Sequence, residues 1–93
     1  MAPYNPPSAH YAHLNVSLYS PDMIKSYIGK KGEHFYNLTA RLKVRYIWYD
    51  TEKKIIEIWG PYESFRDNKP VDVIYNELQT YKNVYEETIS KTN

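Results

Sequence analysis

The sequence predicts a small two-layer α+β domain, a three-stranded antiparallel sheet packed on three helices in the order strand, helix, helix, strand, strand, helix. Three observations predict it. Apolar residues alternate with polar ones over 13–19, the period of a half-buried strand, and the short runs rich in β-branched and aromatic residues at 44–49 and 55–59 read as two more strands. Helical spacing with its own start and stop signals appears between those stretches and after them. Finally, 93 residues are enough for one hydrophobic core and not for two.

Each element has a local reason. Residues 1–12 contain three prolines and read as a flexible or partner-tethered arm, with the domain proper over 13–85 and a polar tail over 86–93. Over 13–19, Leu14, Val16 and Leu18 fall on one side of a strand and Asn15 and Ser17 on the other. Ser20-Pro21-Asp22 is a helix start: a hydroxyl to cap free N–H groups, a proline that fits the first turn, and an acid at the positive end of the dipole. That helix carries Ile24, Tyr27 and Ile28 and stops at Gly29. A second opens near Gly32 or Glu33 with Phe35, Leu38 and Leu42 at helical spacing. Val44, Tyr46 and Trp48 alternate with Arg45, Ile47 and Tyr49 in the second strand, residues 50–53 turn, and the third strand ends at Gly60-Pro61. A polar loop is expected to about Asn68. The last helix follows, with Val71, Ile74, Leu78, Tyr81 and Tyr85 on one face.

Composition narrows the function. No cysteine is present, so thiolate chemistry, disulfides and cysteine-based zinc sites are excluded. No stretch reaches the roughly 18 apolar residues of a membrane span, and an intracellular setting (cytoplasmic or nuclear) or a virion interior is expected. Net charge is +1, but residues 1–49 hold six Lys/Arg against two acidic residues, a net of +4, and residues 50–93 hold six against nine, a net of −3. One basic face and one acidic face follow.

The basic half holds the most informative motif, Ile28-Gly29-Lys30-Lys31-Gly32-Glu33. Glycines at both ends permit backbone angles closed to other residues and remove side chains where a sugar-phosphate must come close. The turn lies at the start of a helix, whose free N–H groups and dipole favour an anion, and two lysines add mobile positive charge. The segment, with Phe35 and Leu38 after it and Ile56-Glu57-Ile58-Trp59-Gly60 downstream, resembles the KH family of type I, the eukaryotic-type arrangement. The resemblance covers about residues 13–85 and implies a single stand-alone KH module that binds single-stranded nucleic acid, RNA ahead of DNA, without catalysis. It implies a groove in which Ile28 and Phe35 give apolar wall and Gly29, Lys30, Lys31 and Gly32 meet phosphates. Arg45 and Ile47 would then line the facing strand. Two features depart from the family pattern: Tyr46 and Trp48 are larger than usual, and the loop at 50–53 is short.

Other residues carry blander readings. His10, His13 and His34 have no cysteine or spaced acid to complete a metal site, no catalytic constellation is found, and neither cofactor nor enzymatic activity is expected. Most of the eleven tyrosines fall where packing explains them; Tyr27 and Tyr36 are kept as stacking candidates. If Val44, Tyr46 and Trp48 point at the helices, then Ile47, Tyr49, Ile55 and Trp59 face outward. Such a patch would seat the Pro/Tyr-rich arm, with Tyr4 and Tyr11, a second copy or another protein. Hence the alternative function, a KH-like structural or protein–protein interaction module in a larger assembly or virion.

Overall fold

The structure, a computed structural model, describes residues 9–91. It is an α+β domain with one three-stranded antiparallel sheet and four helices: β1 (His10–Asn15), α1 (Pro21–Ile28), α2 (Glu33–Leu42), β2 (Tyr46–Asp50), β3 (Ile55–Gly60), α3 (Tyr62–Asn68) and α4 (Pro70–Lys91). The strand order is β1-β3-β2, so β2 is an edge strand. Ile24 of α1, Leu38 of α2, Ile56 and Ile58 of β3, and Ile74 and Leu78 of α4 are fully buried in one core between the sheet and the helices.

Local chemistry sets the element boundaries. Ser20 caps α1, its hydroxyl accepting from the Met23 N–H at 3.1 Å with Pro21 behind it. The β2–β3 hairpin closes on Asp50, whose carboxylate accepts from the backbone N–H groups of Glu52 and Lys53. β1 ends earlier than its alternation suggests. Asn15 Oδ1 accepts from the Ser17 N–H at 2.9 Å, a side-chain turn that breaks the strand, and Leu18 is left exposed instead of facing the core. At its other end β1 begins at His10, paired with Gly60, so the sheet reaches into the stretch expected to be an arm; residues 1–8, Tyr4 included, lie outside the described ones. α4 likewise continues to Lys91, through most of the expected tail.

The loop expected after Gly60-Pro61 is instead the short helix α3. Tertiary hydrogen bonds hold it: Ser64 Oγ donates to the Lys43 carbonyl at 2.7 Å and Asn68 Nδ2 to the Leu42 carbonyl at 2.8 Å. Phe65 packs against the core and meets His10 edge-on. A break at Lys69, with φ of 45°, separates α3 from α4.

The facing of β2 is a second correction. Ile47 is 6% exposed and sits in the core, with Tyr49 packed on it, whereas Tyr46 and Trp48 turn to the other side of the sheet. The cause is a bulge-like irregularity. The Arg45 N–H donates to the Trp59 carbonyl at 2.8 Å while Tyr46 is the register partner of Trp59, so two residues of one strand stand against one of the other. Val44 is therefore buried as expected, but the alternation changes phase after it. Of the four residues expected on the open face, Ile55 and Trp59 keep that register and Ile47 and Tyr49 do not. Tyr11, Tyr46 and Trp48 take their place, and Trp59, flanked by Tyr11 and Tyr46, is buried at 3% exposure. No helix among the described residues is long and apolar enough to cross a membrane.

Candidate nucleic-acid interface

The turn between α1 and α2 is built from unusual backbone. Gly29 has φ of 83°, Lys31 58° and Gly32 75°, and residues Lys30–Gly32 form a single 3-10 turn before α2. Glycine carries the left-handed angle without a Cβ penalty at two of these positions. Lys31 bears it as an ordinary residue, as Lys43, Lys54 and Lys69 do at other turns and helix ends. The Gly29 N–H ends α1 on the Lys25 carbonyl at 3.1 Å, and the Gly32 N–H returns to the Gly29 carbonyl at 3.2 Å. Lys30 and Lys31 are exposed, and neither forms an ion pair among the described residues.

Beside the turn lies a groove of about 310 Å³, with a mostly apolar wall. Ile28, Gly32, Phe35, Tyr36 and Thr39 form one side, and the edge strand from Arg45 to Tyr49 the other. Six of the eight sequence candidates line it: Ile28, Lys31, Gly32, Phe35, Arg45 and Ile47. Gly29 and Lys30 do not. Lys30 borders a neighbouring concavity with Lys31, Glu33, Tyr36 and Asn37, while Gly29 holds the turn's geometry. Because β2 is an edge strand, backbone N–H and C=O groups on its far side lack a strand partner in the described sheet. Sequence reasoning missed Thr39, Tyr46, Trp48 and Tyr49 as groove residues: it assigned one set of the strand to the core and the other to the open face, whereas the edge strand lines the groove with consecutive residues. Tyr46 has its phenol held above the usual value by burial and, next, by the nearby Tyr36 phenol.

No protein-family model, curated protein or solved structure matches this chain.

Behind the groove, α1, α2 and α4 are joined through Glu77. Its Oε1 accepts from the Tyr27 hydroxyl at 2.7 Å and lies 2.9 Å from His34 Nε2, and its Oε2 accepts from Arg41 at 2.6 Å. Ser26 and Tyr81 join hydroxyls nearby. Tyr27 is thereby buried and engaged, its phenol pushed far up by burial and by the bond to Glu77, so of the two stacking candidates only Tyr36 remains accessible. Burial alone would raise the Glu77 carboxyl, but hydrogen bonds from His34, Tyr27 and Arg41 outweigh it and hold the group below its ordinary value of 4.5. The sign follows from a folded pKa below the unfolded one: Glu77 contributes stability fully above about pH 4.5 and loses it as pH falls through the lower, folded value. Glu77→Gln is expected to cost about 1–2 kcal/mol near neutral pH, and the cost should shrink steadily as the pH falls below about 4.5. Thermal melts of both proteins across that range check it; a constant gap between the curves would contradict it.

On the open face, Glu57 is buried at the centre of β3, and the Tyr11 hydroxyl donates to it at 2.6 Å. Burial, and then that bond, push the Tyr11 phenol up to about 12. Among the described residues no three His, Asp or Glu side chains gather as a metal site. His10 is in edge contact with Tyr62 and Phe65, and His34 is taken up by Glu77.

Proposed function

We propose that this chain is a non-catalytic binder of single-stranded nucleic acid, RNA ahead of DNA, built on the KH type I plan. The observation that carries the reading is the groove that brings Lys31, Gly32 and Arg45 to its rim and Ile28, Phe35 and Ile47 into its wall. Phosphates would lie against the lysines and the start of α2, and unpaired bases would enter the apolar trough. The helix–glycine-turn–helix unit after the first strand and the β1-β3-β2 order support the KH assignment; α3 is an addition to that plan.

Few contacts imply low-micromolar or weaker affinity. With two or three phosphates neutralised, binding of a labelled random single-stranded RNA should weaken about 10-fold between roughly 50 and 200 mM salt. Fluorescence anisotropy measures this directly. Affinity indifferent to salt, or equal competition by duplex, would remove the proposal. A second reading, a KH-like protein-interaction module, draws on the aromatic strip of Tyr11, Tyr46 and Trp48 on the sheet face away from the helices. Sedimentation that reports only monomer over the micromolar range would speak against the homo-oligomer form of it.

A further inference from the structure

Tyr36 is 74% exposed, the highest value for an aromatic residue among the described ones. Core packing does not account for its ring. It stands on α2 one turn after Gly32, and side chains on a helix lean back toward its N-terminus. The ring accordingly lies over the glycine turn: a Cβ placed on Gly32 would sit 3.7 Å from Tyr36 Cε2. It borders two concavities at once, the apolar groove with Ile28 and Phe35 and the polar one with Lys30 and Lys31. Tyr36 thus stands on the boundary between the ammonium groups and the apolar trough, where the phosphate and the base of one nucleotide must part.

We propose that Tyr36 is a stacking platform for one unpaired base of the bound strand. The inference rests on the groove being a nucleic-acid site, and it adds how that site selects its ligand: through the face of a base more than through its edge. Apart from Arg45 at the rim, the groove offers little for reading edges with side chains. The Thr39 hydroxyl is already donated to the Phe35 carbonyl at 2.6 Å, and most of the remaining wall is aliphatic or aromatic. A π-face is common to all four bases, so recognition is sequence-tolerant, with purines held more tightly than pyrimidines by their larger rings.

The test is anisotropy with homopolymer RNA strands and a length-matched strand of abasic sugars. Tyr36→Ala should weaken binding of the base-bearing strands by about 5- to 100-fold, the loss of stacking on one base. Tyr36→Phe should stay within about twofold of the wild type, because it keeps the ring. The abasic strand should bind weakly, and equally to the wild type and Tyr36→Ala. An exposed helical position tolerates alanine, so all variants should melt like the wild type. If the wild type binds strands with the expected salt dependence but Tyr36→Ala is unchanged, or the abasic strand binds as tightly as RNA, the platform is wrong and the groove stands. If the wild type binds no strand at all, groove and platform fall together.

Discussion

Reversing both charges on the turn, Lys30→Asp with Lys31→Asp, should raise the dissociation constant for single-stranded RNA from the micromolar range to beyond about 100 μM. The physical reason is specific to this corner. Both ammonium groups are exposed and engaged in no ion pair among the described residues, so they are available to a polyanion and their removal breaks nothing inside the protein. Aspartate does more than delete the attraction, since two carboxylates there would repel phosphate from the start of α2. The backbone should accept the change. Lys31 has φ of 58°, and aspartate visits that left-handed region more readily than most residues. A melting temperature within about 3 °C of the wild type is expected, as for an exposed substitution. The slope of log affinity against log salt should also flatten by about 0.7 for each phosphate that the lysines no longer neutralise. A folded double mutant that binds as tightly as the wild type would move the site off this turn altogether.

That corner was legible in the sequence because every signal for it is local. The Ser20 cap, Pro21, the stop at Gly29 and the two glycines three residues apart act within a turn of where they stand. The facing of β2 was not, and the reason is compositional. Apart from Arg45, both sets along 44–49 are apolar or aromatic, so a period of two chooses poorly between them, and the one charge points to the wrong choice. The choice is made by one backbone bond, Arg45 N–H to the Trp59 carbonyl, which changes the phase. Side-chain volume agrees with it: Ile47 fits into the core beside its register partner Ile58, and the large rings of Tyr46 and Trp48 go to the open side. α3 was hidden for a similar reason, since Ser64 and Asn68 bond to carbonyls more than twenty residues away in sequence. The three partners of Glu77 come from α1 and α2, over thirty residues back, and no reading of α4 alone could supply them. In the site, the wall donated by the first two helices was readable and the wall donated by the edge strand was only half so.

The same phase change makes Gly60 the position where one added methyl group should cost most. A Cβ built on Gly60 would stand 2.9 Å from the Val44 Cα, 3.1 Å from the Val44 Cβ and 3.3 Å from the Arg45 nitrogen. The nearest of these atoms is main chain, in the segment tied down by the Arg45–Trp59 bond, so no rotamer change relieves the clash. Gly60→Ala is therefore expected to destabilise the domain by about 2–3 kcal/mol, as overpacking does, and to lower its melting temperature by roughly 10–20 °C. Trimming the neighbour should not rescue it: Val44→Ala keeps both the Cα and the Cβ that stand too close, while opening a hole in the core. The effect should also reach the groove. Pushing residues 44 and 45 away from β3 displaces Arg45, a rim residue, and with it the register of the edge strand along the trough. Weakened RNA binding measured well below the lowered melting point would record that displacement. Thermal unfolding followed by circular dichroism decides the stability part. A Gly60→Ala protein that melts within about 3 °C of the wild type would mean that the strand junction yields at little cost and that the close approach of Val44 to Gly60 does not fix the phase of β2.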